Sequence, residues 1–408
     1  MAGTEALLGL DIGTTKVAAV VGSRGAEVTL LGAASVPCTG LRRGSVVDVA
    51  ETTRAVREAV SRAQRMAGVE LESAWVGVTG QHISCTNARG EVQLARARRQ
   101  VTWEDVERVM GAAVSGVSLP PDRQMLHAIS RGFSVNEEPR VRNPVGLSAN
   151  RLAVDTHIVT ASRNLVANVV SCVQQSGLEV AELVAEPLAT ADAVLSAEEE
   201  ELGVLLVDVG GGTTDLALFL EGSIAFTGAI PVAGDNVTHD LAVVLGVTHP
   251  QAEQIKLTYG CTEAGSIPAD DMVEVPGEEE RMVSRRAIAE IIQARVSEQF
   301  TLVAHELARH NGGWPPPGGA VLTGGGSLLP GIAQAASRAL GCRARLGRPR
   351  VAGGPVELLE TPALATGVGL VYYAHREAES RRAEARPGVR ALSILGRVVA
   401  WVRELFSS

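Results

Sequence analysis

The sequence predicts an α/β protein built from two related domains, with a small α+β insertion in the first domain and an amphipathic helix at the C-terminus. Two segments about 200 residues apart, GLDIGTTKVAAVV at 9–21 and LVDVGGGTTDLALF at 206–219, share one order of strand, aspartate, glycine-threonine turn and second strand. Such an internal repeat indicates a duplicated structural unit. Residues 80–156 depart from this pattern, and residues 390–407 have helical periodicity.

Composition limits the possible classes of protein. The chain has 408 residues, 46% of them hydrophobic and only 3% aromatic, so its cores must be aliphatic. The net charge of −9 argues against general nucleic-acid binding, and no nucleic-acid partner is expected. No run of about 20 uncharged apolar residues occurs, and the N-terminus lacks the basic start of a signal peptide.

Elements of the first half follow from apolar runs and helix-end signals. Short apolar runs predict strands at 5–12, 16–22, 27–36 and 73–79, and in the insertion at 82–94, 125–135 and 151–160. Helical spacing predicts helices at 51–67, 102–114, 163–176 and 186–195. The second of these helices starts with Thr102-x-x-Asp105, which resembles a capping box.

The second half repeats the strand–turn–strand opening at 203–219. Further segments predict helices at 236–257, 284–310, from about 330 and at 361–373, and a strand at 320–323. We interpret the acidic run at 198–201 as a solvated loop. Residues 376–389 are charged and contain Pro387 and Gly388, which is typical of a linker.

Two repeated turns carry the chemistry. The first is Asp11-x-Gly13-Thr14-Thr15-Lys16, and the second is Asp208-x-Gly210-Gly211-Gly212-Thr213-Thr214. An aspartate at a strand end can hold the water shell of Mg²⁺, and exposed turn amides can bind phosphate oxygens. A single Asp-x-Gly also serves structural turns, but two copies that each open a hairpin predict a phosphate clamp.

Two more motifs predict nucleotide contacts. Thr323-Gly324-Gly325-Gly326-Ser327 lies between a strand and a helix, where glycines leave room for a flat base; the alternative is a tight turn. Glu253 and Lys256 project from one helical face, either as a surface salt bridge or as ligand contacts. Only Lys16 and Lys256 among the 37 basic residues are lysine, which favours ligand contacts.

At these four motifs the chain resembles the actin-like ATPase superfamily, which has a ribonuclease-H-type fold. The resemblance implies ATP and Mg as cofactors. It assigns Asp11, Gly13, Thr14, Thr15 and Lys16 to the first phosphate loop, and Asp208, Gly210, Gly211, Gly212, Thr213 and Thr214 to the second. It assigns Glu253 and Lys256 to ribose, and Gly324, Gly325, Gly326 and Ser327 to the base. Mg is then held through water by Asp11 and Asp208.

Glu186 precedes Pro187 in a context where relatives place a water-orienting glutamate. With Asp11 and Asp208 it forms the candidate catalytic set, and the alternative is a glutamate that the helix dipole favours. The sequence leaves hydrolysis open and supports at most a slow ATPase.

The C-terminal segment 390–408 predicts a membrane-targeting helix. Its apolar face holds Leu392, Leu395, Val398, Val399, Trp401, Val402, Leu405 and Phe406. Arginines at the margins of this face can reach lipid headgroups while the apolar half is buried. The alternative is a helix docked on the protein's own core.

Motif order and tail together resemble the FtsA family of bacterial cell division. The resemblance implies a peripheral protein on the cytoplasmic side of the cell membrane, with FtsZ's C-terminal peptide, other copies of itself, anionic lipid and later division proteins as partners. It divides the chain into 1A (1–80, 161–202, 361–375), 1C (81–160), 2A (203–235, 301–360), 2B (236–300), linker 376–389 and helix 390–408. The alternatives are a pilus-assembly ATPase, which should lack the tail, and a small-molecule kinase of the same fold.

Overall fold

The structure is a computed structural model. It describes residues 6–25, 27–94, 99–275, 281–351, 353 and 360–384, with side chains as far as Glu379. The strands are β1 (Ala6–Ile12), β2 (Lys16–Ser23), β3 (Thr29–Pro37), β4 (Leu41–Arg42), β5 (Ser45–Val46), β6 (Ser73–Val78), β7 (Ser84–Gln93), β8 (Arg99–Gln100), β9 (Arg123–Val135), β10 (Glu138–Val141), β11 (Ser148–Ala149), β12 (Arg151–Ser162), β13 (Glu179–Ala185), β14 (Val204–Val209), β15 (Thr214–Leu220), β16 (Ser223–Ile230), β17 (Met272–Val275), β18 (Arg281–Ser284), β19 (Ala320–Thr323) and β20 (Ala344–Leu346).

Helices connect these strands and cover the sheets. They are α1 (Val49–Ala67), α2 (Trp103–Ser115), α3 (Arg163–Gln175), α4 (Glu186–Val194), α5 (Ala197–Leu202), α6 (Gly234–Leu245), α7 (His249–Tyr259), α8 (Arg285–Asn311), α9 (Ile332–Leu340) and α10 (Ala365–Glu384). Short 3-10 turns lie at Ala264–Ser266, Gly325–Leu328 and Pro362–Leu364.

Two sheets of matching topology form the two halves. The first has the order β13-β6-β1-β2-β3 and the second β16-β15-β14-β19-β20. In each, the repeated motif is an antiparallel hairpin, β1–β2 or β14–β15, whose first strand also pairs in parallel with a later one. β14 is buried along its length, as expected for a strand covered on both faces. The predicted pair of related α/β halves is confirmed.

The predicted α+β insertion is also present. Its sheet has the order β10-β9-β12-β7, and helix α2 packs against β7 and β12 over a separate apolar core. The predicted capping pair forms, because Asp105 accepts hydrogen bonds from the backbone and hydroxyl of Thr102 at 3.0 and 2.9 Å. Gly90 lets the helix approach β7 closely, since a Cβ there would lie 2.3 Å from the Val109 carbonyl oxygen.

The insertion also contacts the edge strand β16 of the second sheet. Buried His157 on β12 lies 2.7 Å from the Asn87 side-chain oxygen and 2.8 Å from the Thr227 hydroxyl. The Asn87 amide donates to the Ala225 carbonyl at 3.0 Å. We call this contact the seam. It joins the insertion, which interrupts the sequence of the first half, to the sheet of the second half.

Two segments of the second half differ from prediction. The single helix predicted over 236–257 is two helices, because Gly246 ends α6 in a left-handed conformation with φ 62°. Thr248 and Gln251 then form the capping box that starts α7. The acidic run at 198–201 is not a loop but lies in α5, which Ser196 and Glu199 cap in the same way.

The last helix, α10, extends beyond the boundary predicted for it. Residues 376–384, predicted as linker, continue the helix, and Arg376 pairs with Asp192 of α4. A Cβ at Gly369 would lie 1.9 Å from the Ala189 carbonyl oxygen, so α10 and α4 meet backbone to backbone. The rest of the predicted linker and the whole segment 390–408 lie outside the described residues. Among the helices that are described, none has the length and apolar content needed to cross a bilayer.

Candidate functional site

The two predicted phosphate turns have the same geometry. In the β1–β2 turn the Gly13 amide donates to the Lys16 carbonyl at 2.9 Å, and in the β14–β15 turn the Gly210 amide donates to the Thr213 carbonyl at 3.0 Å. The turns follow the carboxyl ends of β1 and β14, and the contact of Gly211 with Thr15 brings these two ends to one cleft.

Glycines in the second turn let it contact the first directly. A Cβ at Gly211 would lie 2.4 Å from Thr15 Cγ2, and one at Gly212 would lie 2.4 Å from the Thr14 hydroxyl. These distances are too short for any side chain, so the glycines are required for the close approach of the halves. The backbone conformation alone does not demand them.

Two helices, α4 and α10, each supply a hydroxyl that holds Asp208 in place. Thr190 on α4 and Thr366 on α10 each donate to its Oδ2 at 3.0 Å. Burial raises the pKa of Asp208, while these hydrogen bonds and the Lys16 charge act in the opposite direction. Burial also raises the pKa of Asp11 to about 6; the Lys16 charge lowers it and the Asp208 charge raises it.

Asp215 is a site residue that the sequence reasoning missed. It accepts a hydrogen bond from the Thr79 hydroxyl at 2.5 Å and one from Thr213 at 3.3 Å. Burial raises its pKa to about 7, although the Thr79 hydrogen bond lowers it, and the Asp208 carboxylate raises it further. Its position directly after Thr214 in the second motif, opposite Asp208 in the hairpin, was the available signal.

Glu186 lies at the start of α4 and points into this acid cluster. It is buried, and its Oε1 has no hydrogen-bond partner among the described residues. Burial raises the pKa of its carboxyl well above the ordinary value, and Asp11 and Asp215 raise it further. Gly77 makes room for it, since a Cβ there would lie 2.9 Å from Glu186 Oε1.

Both lysines lie at the cleft. Lys16 donates to the Ala363 carbonyl just before α10. Lys256 pairs with Glu253 at 2.7 Å and donates to the Thr238 hydroxyl at 2.9 Å. The Glu253–Lys256 salt bridge therefore forms, and both of its members also line the cavity between the halves. The salt-bridge and ligand-contact interpretations of Glu253 and Lys256 are therefore compatible.

The glycine-rich motif Thr323–Ser327 packs against the second phosphate turn. Gly324 has φ 81°, and a Cβ there would lie 2.2 Å from Asp208 Oδ1. The Ser327 hydroxyl donates to the Gly324 carbonyl at 2.7 Å and is buried inside the turn. Thr214 is likewise turned inward, donating to the Val232 carbonyl at 2.7 Å. These two hydroxyls stabilise the loops and do not face the cavity.

The cavity between the halves has a volume of about 540 Å³, within the range of small-ligand sites. Polar groups of both phosphate turns line one part, and Leu328, Leu329 and Ile332 line another. The predicted residues that line it are Thr15, Lys16, Gly210, Gly211, Glu253, Lys256, Gly325 and Gly326. An elongated ligand with a charged end and a flat, less polar end fits this lining.

The donor set suits a cation bound through water. Four buried carboxylates, Asp11, Asp208, Asp215 and Glu186, interact with one another, and the Lys16 charge acts on all of them except Asp215. When they are ionised, negative charge is in excess. Within the described ranges, no three His, Cys, Asp or Glu side chains are placed to ligate a metal directly. Hydrated Mg²⁺, which prefers oxygen and keeps several waters, is compatible with both observations.

Comparison with known proteins identifies the family. Residues 205–369 match the family model "Cell division protein FtsA", and residues 80–160 match the model "SHS2 domain inserted in FTSA". The chain is 40% identical to the cell division protein FtsA of Pseudomonas aeruginosa over 90% of this chain and 88% of that protein. It is 34% identical to FtsA of Escherichia coli K12 over 98% of both chains, and 34% identical to that of Bacillus subtilis over 93% and 85%.

Solved structures agree on the fold. The chain aligns with a PilM–PilN type IV pilus biogenesis complex at a TM-score of 0.67 and 20% identity, covering 90% of this chain and 98% of that one. It aligns with MreB5 of Spiroplasma citri bound to ADP at a TM-score of 0.54 and 14% identity, covering 94% and 99%. The fold is actin-like, and sequence identity favours cell division over the pilus and kinase alternatives. The chain belongs to the FtsA family of actin-like cell-division proteins.

Proposed function

We propose that this chain binds ATP, polymerises and tethers FtsZ filaments to the inner face of the cytoplasmic membrane, recruiting later division proteins. The paired turns that meet across the cleft are the observation that carries the nucleotide part of this proposal. Family membership supports the cell-division part, and the sequence of the tail supports the membrane part.

In this proposal the amides of both turns and Lys16 bind the phosphates of ATP. Lys256 and Glu253 contact the ribose, and Gly325 and Gly326 leave room for the base. Asp11 and Asp208 hold Mg through water, and Mg supplies charge that neutralises the phosphates. The cavity lining, charged near Lys16 and apolar near Leu329, supports this orientation.

Glu186 is the proposed water-orienting residue. Burial and the neighbouring carboxylates raise the pKa of its carboxyl and so favour the protonated form, which cannot accept a proton from water. Added positive charge in the cleft would lower that pKa. Hydrolysis then depends on a full complement of ligands, and we expect it to be slow.

The proposed FtsZ-binding region is the segment 236–300. Val243 and Val244, adjacent on α6, are 66% and 64% exposed, which is unusual for large apolar side chains. In this proposal they take the apolar anchors of a bound peptide. Leu257 on α7 is 71% exposed and lines the cavity between the halves instead. The insertion, segment 81–160, is the proposed contact for later division proteins. The limits of subdomains 1A, 1C, 2A and 2B that the FtsA resemblance implies are likewise a proposal.

The tail is the proposed membrane anchor. One amphipathic helix with three arginines, Arg390, Arg397 and Arg403, gains about 1 kcal/mol per basic residue on an anionic surface, so a single copy binds weakly. Several tails on one polymer would bind together through avidity. Weak single anchors therefore make membrane attachment depend on assembly.

Vesicle co-sedimentation tests the tether. The full chain with ATP should pellet with anionic vesicles and carry FtsZ with it, whereas a chain truncated after residue 389 should leave both in the supernatant. Trp401→Glu with Phe406→Glu should abolish pelleting without changing ATP affinity. Ser393→Glu with Ser407→Glu adds the same charge to the polar face and is the matched control. Full-length protein that stays in solution would exclude the membrane role.

A further inference from the structure

A second cavity lies at the seam, away from the nucleotide cleft. It has a volume of about 510 Å³ and is bounded by β9, the β9–β10 turn and the β15–β16 turn. Four arginines line it, all contributed by the insertion: Arg89, Arg131, Arg140 and Arg151. We call it the seam cavity. A concentration of guanidinium groups in one concave site is typical of carboxylate or phosphate recognition.

Three of these arginines have exposed carboxylate partners at the rim. The pairs are Arg89–Asp155 at 3.2 Å, Arg140–Glu221 at 2.7 Å and Arg151–Glu91 at 3.6 Å. Every one of these side chains is at least 41% exposed. Exposed ion pairs of this kind contribute little and exchange readily with water or with another anion. The rim pairs therefore do not prevent an incoming anion from binding.

Arg131 differs from the other three. Its Nε is out of solvent and has no hydrogen-bond partner among the described residues. Its own backbone carbonyl accepts a hydrogen bond from the Ser223 hydroxyl at 2.8 Å, which holds β9 against the second half. An unpaired donor on a half-buried guanidinium that lines a cavity favours an anionic partner there.

The backbone of the cavity wall is also unusual. Asn136, Arg140 and Glu221 have φ of 57°, 61° and 54°, a left-handed conformation that ordinary side chains seldom adopt. Among the described non-glycine residues only Arg43 shares it. Asn136 and Glu221 lie in two-residue hairpin turns, where a positive φ matches the twist of the strands, so only Arg140 departs from ordinary turn geometry. Two hairpin turns, one from each half, are thus held facing the arginines.

We propose that the seam cavity binds a small oxyanion of two or more charges, such as a diphosphate or a polycarboxylate, through Arg131 and Arg89. The anion would supply the acceptor that Arg131 Nε lacks and would lie beside the β15–β16 turn. It would therefore strengthen the contact between the insertion and the second half. This site is independent of the nucleotide cleft and of the proposed tether.

Hydrogen-exchange mass spectrometry of the full chain tests this proposal and locates the ligand. Inorganic pyrophosphate should slow exchange in peptides covering 131–140 and 220–224 by a factor of about three or more. Citrate tests the polycarboxylate alternative in the same way. Protection by pyrophosphate, by citrate or by both then shows which class of anion the seam cavity binds. Sodium chloride at equal ionic strength should give no protection there. Pyrophosphate bound in the nucleotide cleft would protect the clamp turns instead and would not mimic the result.

Variants make the test specific. Arg131→Ala should remove the protection, and Arg89→Ala, an exposed position where folding is not at risk, should weaken it severalfold. Arg142→Ala is the matched control, because Arg142 of the insertion pairs with Glu201 of α5 without lining the cavity, and it should retain the protection. Absence of protection in these peptides, equal protection by chloride, or full protection in both Arg131→Ala and Arg89→Ala would overturn the proposal.

Discussion

Removing one charge from the acid cluster should stabilise the nucleotide-free protein, and the gain should grow with pH. The perturbation is Asp215→Asn. Asp215 has a pKa of about 7 in the folded chain, against an ordinary 3.8, so the folded state holds its proton more tightly than the unfolded state. As pH rises from 4 to 7, the unfolded chain ionises first and folding stability falls. Above pH 7 the loss is complete.

The size of the effect follows from the two pKa values. Asp215 destabilises the fold by about 1 kcal/mol at pH 4.5 and by about 4 kcal/mol at pH 8. Asparagine keeps an acceptor for the Thr79 hydroxyl and has no charge to bury. Urea unfolding followed by circular dichroism should therefore show a gain at pH 8 that exceeds the gain at pH 4.5 by about 3 kcal/mol.

The exposed Asp270→Asn is the control and should change the free energy of unfolding by no more than about 0.5 kcal/mol at either pH. Equal gains for Asp215→Asn at the two pH values would refute the reasoning, because they would mean that Asp215 is not protonated in the fold. A net loss at pH 8 would refute it as well, by showing that the hydrogen bonds of the carboxylate outweigh its burial.

Three further predictions concern the clamp and the seam. Gly211→Val should weaken ATP binding at least tenfold, because the added carbon would lie 2.4 Å from Thr15 Cγ2; equilibrium dialysis measures this, and normal affinity would contradict the closed clamp. Lys16→Ala should lower ATP affinity in isothermal titration, and an unchanged dissociation constant would remove Lys16 from the site. His157→Phe should lower the free energy of unfolding by about 1 to 3 kcal/mol, since it leaves the Thr227 hydroxyl buried without its partner; denaturant unfolding that shows no loss would mean that water replaces the ring.

Local chemistry made much of the fold predictable. The hairpins β1–β2 and β14–β15 were found because an aspartate, a glycine turn and alternating apolar residues occur together within about a dozen residues in both copies. The capping of α2 by Thr102 and Asp105 was found for the same reason. Gly246 carried the signal that ends α6, but apolar spacing on both sides of it hid the break.

Long-range partners were not predictable in this way. Thr366 donates to Asp208 from 158 residues away, and Thr79 reaches Asp215 from 136 residues away. No local pattern distinguishes either threonine from an ordinary core threonine. Only the packing of α10 and β6 around the cleft reveals their contacts. The same holds for Arg131, whose missing acceptor is a property of the folded seam.

The glycine contact between α10 and α4 restricts how the two halves can move. Because Gly369 meets the Ala189 carbonyl with no side chain between them, these helices cannot slide without separating and exposing backbone. They form a rigid strut under the first sheet. Any opening of the cleft must then carry α4 and α10 together as one unit.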